Sequence, residues 1–377
     1  MASQWKQQTL DIGKETTWNT LASTFIRMVN VANVTFKATD EVIERPVINA
    51  RLTRTSHVMG RQGGTLAFDW YMSGGGVANP SAGVATTAPE LDPVLDAVFT
   101  KTLGKSRTYS SGGGAGASTV TVATPAASDF NVGGRMTSVA TGESRIVTGF
   151  DSGTGVITVD RAFVTAITTG VIAASTVYTR KDSTPNGISC RFDLDGKQYR
   201  ATGGRVTKLS VPALKGGQLA VMHVEIEFND YDETAFTAET AATYPSPPVV
   251  KGGTFSIGGT QYDAQDYEID FAPKQAFIDA IDGTEGRAGI EIADWETGGS
   301  FAVEEAKDAQ SDFAAGTELS NISYTAGNAY NGIGLWVAKA QFTDHEHVNV
   351  NGYRMDKVPF KANDNTTTST FALSTGA

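Results

Sequence analysis

Four histidines and a single cysteine have the widest chemical reach in this chain, and their spacing limits what they can do. His345 and His347 fall in Asp344-His-Glu-His347, the one cluster of metal-ligand residue types. Alternate positions on a strand aim both imidazoles the same way. A zinc site needs three or four ligands, however, and the nearby sequence adds no Cys or further His. The expectation there is a solvated loop, with no metal and no cofactor. His57 lies near Arg51 and Arg54, and His223 lies on an acidic strand face. Cys190, between Ser189 and Arg191, has no histidine at a recognisable spacing and reads as a small core residue. No G-x-S-x-G, Walker or H-E-x-x-H pattern occurs. Gly74-Gly-Gly76 and Gly252-Gly253 precede no helix that could hold a phosphate. Acid–base catalysis needs two carboxyl groups with separated pKa values across a cleft, and nothing singles out a pair among 41 Asp and Glu. A non-enzymatic role is expected.

The frame that carries these residues is long, acidic and rich in glycine. The chain has 377 residues, 41 of them Gly, and a formal charge of −11. That length favours two or three domains. One thiol excludes a disulfide-stapled scaffold, and the absence of a run of about 18 apolar residues excludes a transmembrane helix. Met1-Ala-Ser-Gln-Trp-Lys lacks an apolar stretch of signal-peptide length, which suggests synthesis in a reducing compartment. Residues 1–104 hold nine basic and nine acidic side chains and residues 105–180 hold six and four, leaving fifteen and twenty-eight for residues 181–377. Nucleic-acid binding gains affinity by neutralising phosphates with Lys and Arg. This distribution points to repulsion instead, and equally fits a soluble surface that resists aggregation.

Period-two alternation dominates the local pattern. Leu66, Phe68 and Trp70 share one side of a strand; Val224, Ile226 and Phe228 oppose His223, Glu225 and Glu227; Tyr267, Ile269 and Phe271 oppose Asp266, Glu268 and Asp270. Two segments read as helices, each with proline near its start and glycine after its end: Asp92–Gly104 and Pro273–Asp282. Phe192–Ala201 and Phe255–Ala264 share F-x-[LI]-x-G-x-Q-Y-x-A, a β-hairpin with a glycine turn, either duplicated or converged. After a flexible tract, Ser110–Ser118, the residues to Thr179 read as a small β domain standing off the main body. The proline cluster Tyr244–Pro248 marks a boundary.

The run Val42–Ser56, then Gly63–Tyr71 and the helix at Leu91–Leu103, resembles the opening of a long-tailed (siphovirus-type) bacteriophage tail tube protein, also called a major tail protein. The hairpins Phe192–Val211 and Thr254–Phe271 and the ending Val358–Asp364 are similar to that family too, so the resemblance covers about 300 residues outside the insertion. It implies a mainly β fold: tandem tail-tube β-sandwich or barrel modules, each with a short flanking helix, plus the β insertion. The modules would be 1–104 with 181–245, and 246–377; the insertion, 105–180, would lie on the tube exterior.

The family's mechanism is structural. Subunits join edge to edge into rings, and rings stack into a hollow conduit for genome delivery. With two modules per chain, a trimer of pseudo-sixfold symmetry is favoured over a hexamer. The tape-measure protein and phage DNA would pass without specific binding, tail terminator and distal tail proteins would be partners, and no membrane is involved. The location implied is the virion tail, after assembly in the bacterial host cytoplasm. Carried onto this sequence, the lumen-lining candidates are Glu225, Glu227, Asp266, Glu268 and Asp270, with solvent or a neighbouring subunit as the alternative surroundings. Arg45, Arg51, Arg54 and His57 are the candidates for a ring-stacking loop. Two other readings stay open: another virion β-protein of the minor tail or baseplate, and an extracellular carbohydrate-binding or hydrolytic β-protein.

Overall fold

The computed structural model describes residues 8–43, 58–75, 81–194, 197–235, 243–250, 252–284, 286–304, 318–319, 321–328, 331–350, 353–363 and 370–376. Among them the architecture is mainly β, with a 14-stranded sheet, a 7-stranded sheet, a closed six-stranded barrel and a separate two-stranded hairpin.

The large sheet is organised by one 18-residue strand, Lys197–Leu214. Its first part pairs with Ile188–Leu194, which continues to Gln8–Lys14 and Ile26–Met28. Its second part pairs on one side with Val221–Phe228 and on the other with Ala264–Asp270. From Ala264–Asp270 the ladder runs on to Gly298–Glu304 and Tyr353–Ala362. The partner changes at Gly203-Gly204. Gly203 has φ +63°, which a side chain rarely adopts, and a Cβ on Gly204 would sit 2.7 Å from the Ile188 carbonyl oxygen.

Buried Glu15 pins this bend. Its Oε1 accepts from the Gly203 amide at 2.7 Å and from Ser189 Oγ at 2.8 Å, while Oε2 accepts from the Asn19 amide at 2.8 Å. Burial nevertheless pushes the carboxyl up to about 7, against the lowering effect of those three bonds.

Alternation decides which faces are buried. Leu66, Phe68, Trp70, Val224, Ile226, Phe228, Tyr267, Ile269 and Phe271 are each at most 1% exposed. They form the inner face of a sandwich whose other layer is the seven-stranded sheet. Ring centroids lie 5.3 Å apart for Phe255 and Tyr267, 5.3 Å for Phe271 and Phe371, and 6.1 Å for Tyr267 and Tyr324. Burying each such side chain contributes about 1.5–3 kcal/mol. One cluster runs from Leu10 to Leu373, so the core is continuous across the proline-rich segment at 244–248. Both F-x-[LI]-x-G-x-Q-Y-x-A segments are hairpins in the same register, with Phe192 opposite Tyr199 and Phe255 opposite Tyr262.

Two helix expectations need correction. The first helix spans only Asp92–Val98 and packs Val94, Leu95 and Val98 into the core. Phe99 then turns extended, and Thr100–Leu103 pairs with Thr176–Thr179. β-Branched threonines and an available partner strand outweigh the weak helical propensity of that last stretch. Asp92 makes no side-chain cap; its carboxylate accepts from Tyr178 Oη at 2.7 Å and from Lys101 Nζ at 2.9 Å. The second expected helix is strand Pro273–Thr284, paired with Arg287–Trp295. Its expected buried stripe is not buried, for Ile278 is 41% and Ile281 107% exposed. Gly283, read as a helix stop, lies close against the partner strand: a Cβ there would be 2.1 Å from the Arg287 carbonyl oxygen.

The barrel is formed by strands lying between Arg107 and Ala173 and has its own core around Val120, Phe163, Ile157 and Ile172. It does not stand off the main body. Ile146 of the barrel packs with Val177, Trp336 and Ala372 of the seven-stranded sheet. Arg135 reaches across the junction: Nη1 donates to the carbonyls of Asn328 and Gly376, and Nη2 to that of Gly327, at 2.9–3.0 Å. A Cβ on Gly332 would collide with that guanidinium, at 1.9 Å from Nη1. Asp160 Oδ2 accepts from Ser323 Oγ at 2.6 Å and from Ser256 Oγ at 3.2 Å. Charged groups in a low-dielectric junction must be matched, and matching them fixes the barrel's orientation.

Arg135→Ala strands several buried carbonyls and should lower unfolding stability by roughly 3–5 kcal/mol, measured as a shift of the denaturant midpoint. A loss under 1 kcal/mol would contradict the clamp. Glu15 holds its proton more tightly folded than unfolded. Its contribution is therefore complete below about pH 4.5 and is lost as pH rises towards 7, a span of roughly 3 kcal/mol. Glu15→Gln should flatten the stability difference between pH 4.5 and 7 relative to the parent; parallel pH profiles would refute the assignment.

Candidate functional site

The polar surface of the large sheet gathers most of the sequence-derived candidates. Antiparallel register places paired residues on one face. Ser210 lies opposite His223 on one neighbour and Asp270 on the other, so the two acidic strands share a face although they come from different halves of the chain. Glu225, Glu227, Asp266, Glu268 and Asp270 all lie there, on the side opposite the buried Val224, Ile226, Tyr267 and Ile269. Arg45, Arg51, Arg54 and His57 lie outside the described residues. The strands before and after them, Val31–Ile43 and Val58–Tyr71, pair as far as Ile43 opposite Val58.

This face is less uniformly acidic than alternation suggests. Lys208 lies opposite Glu225, and Arg205 opposite Glu227. Arg205 Nη2 meets Glu227 Oε2 at 2.6 Å. Lys357 lies opposite Ala302, which lies opposite Asp266; Lys361 and Asp270 flank Gly298 in the same way. Glu268 accepts from Ser300 Oγ at 2.6 Å, and exposed Asp270 accepts the Ala272 amide at 2.9 Å. Held in these ways, the carboxylates have restricted geometry and part of their charge is offset locally. Between the strands a cleft of about 560 Å³ is lined by Ser210, Pro212, Glu268, Asp270, Ser300, Asp344, Glu346 and Lys357. No aromatic ring stands in that lining to stack a base or a sugar.

His223 is the titratable centre of the face. Nδ1 lies 2.8 Å from Asp69 Oδ1, and Nε2 lies 3.0 Å from Glu225 Oε1. Burial opposes its charge, but the bonds to Asp69 and Glu225 prevail and raise its pKa above the usual 6.5. Cys190 is fully buried, and burial pushes its thiol well up, away from the reactive thiolate.

Sequence reasoning missed one grouping. His345 and His347 meet Asp356, a residue of the next strand, through the register His347 opposite Asp356. The signal was available in Asn351-Gly352, a dipeptide typical of two-residue hairpin turns. Read as a turn signal in the sequence alone, that dipeptide would set Asp356 against His347, the register that the described strands show.

The sequence matches no family model and none of the curated proteins compared with it.

For His223 the raised folded pKa means that its stabilising contribution is present below about pH 6.5 and disappears as pH climbs through the folded value. His223→Asn should therefore cost more stability at pH 6 than at pH 9, and NMR titration should place the His223 midpoint above 6.5. An unshifted midpoint would rule the bridge out.

Proposed function

We propose that this chain is a tail tube, or major tail, protein of a long-tailed bacteriophage. It is a structural virion protein that polymerises into stacked rings forming a conduit for genome delivery. The observation that carries the reading is the joining of the two halves into one sheet: Ser210 and Val211 pair with Asp270 and Ile269, giving a continuous polar face over a continuous core. A curved wall built from many copies needs such a face, with sheet edges left to meet neighbours. Two half-chain units per subunit favour three copies per ring, closed by heterologous contacts and extended by stacking.

Carboxylates along the inner wall would offer DNA no counter-charge, so it and the tape-measure protein would pass without being gripped. The interleaved Lys and Arg refine that picture: Glu268 and Asp270, facing the cleft, are the strongest lumen candidates, whereas Glu227 is engaged by Arg205. On this reading the protein is not an enzyme, its other partners are tail terminator and distal tail proteins, and its place is the virion tail after assembly in the host cytoplasm. No helix among the described residues is long and apolar enough to cross a membrane. The barrel would sit on the outer surface. The clustering of Glu268, Asp270, Asp344 and Glu346 in one cleft favours, as a second reading, a carbohydrate-binding or hydrolytic β-protein.

Negative-stain microscopy of the purified chain at rising concentration separates these readings. Uniform hollow rods of constant diameter are expected. Monodisperse single particles at every concentration, with retention on a glycan column, would transfer the assignment to the second reading.

A further inference from the structure

We propose that His345, His347 and Asp356 form a binding site for a divalent transition-metal ion of the zinc class. The three residues each offer one ligand atom, and those atoms lie within 4.8 Å of one another. Two strand segments build the group. His345 immediately precedes the strand Glu346–Val350 and His347 is its second residue, and their ring centroids lie 4.7 Å apart. Asp356 comes from Tyr353–Ala362, directly opposite His347.

The environment has the features of a ligand set. The Asp356 side chain is only 2% exposed, against 22% for His345 and 41% for His347, so a buried carboxylate lies beneath two imidazoles that solvent can reach. A buried carboxylate needs a compensating positive charge. His347 Nδ1 lies 2.7 Å from Asp356 Oδ1, and His345 Nε2 lies 3.2 Å from the same oxygen. The His345 Nε2 atom is buried yet makes no hydrogen bond, which leaves a nitrogen directed at the carboxylate and off the hydrogen-bond line. Ligands bonded to tetrahedral zinc at about 2.0–2.1 Å stand roughly 3.3 Å apart. The His347–Asp356 spacing of 2.7 Å must open by about 0.6 Å and the His345–Asp356 spacing of 3.2 Å by about 0.1 Å, while the widest spacing of the set, within 4.8 Å, must close towards the same value.

Donor chemistry selects the ion. Two imidazoles and one carboxylate suit zinc and its neighbours, whereas calcium and magnesium call for all-oxygen shells. Three protein ligands leave a fourth position for water. Arg354 Nη2 lies 3.0 Å from His347 Nε2, so in the observed arrangement Nε2 accepts from Arg354 and Nδ1 donates to Asp356. Metal binding at Nδ1 displaces that proton and turns Nε2 into a donor. Arg354, whose side chain is exposed, must then move away. It competes with the metal by charge as well as by hydrogen bonding. The site is independent of the tail-tube assignment and would staple this hairpin to the segment before it.

The test uses the full chain, stripped with EDTA and dialysed against ZnCl2, with bound metal counted by elemental analysis and geometry read from CoCl2 absorption. One zinc per chain and a four-coordinate cobalt spectrum are expected. The double variant His345→Ala/His347→Ala should lose at least tenfold to a hundredfold in affinity, and Arg354→Ala should bind zinc as tightly as the parent or more tightly. Far-UV circular dichroism and unfolding in EDTA check that each variant folds. If the double variant does not fold, Asp356→Asn replaces it. Zinc stoichiometry unchanged by a folded ligand variant, or no zinc bound by the parent at micromolar concentration, would overturn the proposal.

Discussion

Much of this molecule depends on one bend. The strand Lys197–Leu214 belongs to two neighbourhoods, and the change of partner at Gly203-Gly204 lets residues 188–194 and 264–270 lie along the same side of a single strand. Glycine permits the left-handed backbone, but permission is not specification. Glu15 supplies the specification by holding the Gly203 amide, Ser189 and Asn19 on one carboxylate. The arrangement is costly to the ionised group, and its raised pKa records that cost. In return, the register of both ladders is set from one point, and with it the face on which each downstream side chain emerges.

Other junctions follow the same logic. Glu90 is buried and accepts from the amides of Val29 and Asn30 and from Trp70 Nε1, tying the segment just before the helix to the connection between Ile26–Met28 and Val31–Ile43 and to the strand Val58–Tyr71. Arg135 and Asp160 do this for the barrel. Apolar contacts between layers tolerate sliding, because dispersion and hydrophobic burial are weakly directional. A buried charge with several fixed acceptors or donors does not, since each misplaced bond leaves an unsatisfied group. The core thus provides most of the cohesion, and these few polar hubs choose the geometry.

How far sequence could foresee this varied with the range of the interaction. The alternating strands around Phe68, Ile226 and Ile269 were legible because side-chain direction on a strand is local and period two is unambiguous over five or more residues. The repeated hairpin was legible because its turn lies inside the motif. The segment 273–282 was misread because Phe277, Ile278 and Ile281 match a helical stripe while Pro273, Gln275 and Phe277 match a strand. A short window satisfies both periods. The pairing with Arg287–Trp295 resolved the ambiguity in favour of the strand, and Phe277 packs between Arg205 and Arg287, whose guanidinium carbons lie 4.4 and 3.7 Å from its ring centre.

The chain alone therefore specifies class and patterning: a mainly β protein, acidic in residues 181–377, with apolar and charged faces assigned strand by strand. Properties that depend on residues far apart came from folding. The sharing of one face by Glu225 and Asp270 needs the register through Ser210; the offsetting of Glu227 needs Arg205 on the adjacent strand; the barrel's attachment needs Arg135 to find carbonyls near residues 327 and 376. Side-chain direction is written in adjacent φ and ψ angles, whereas electrostatic partnership depends on distances of a few ångströms between strands. Those distances exist only once the ladder has closed.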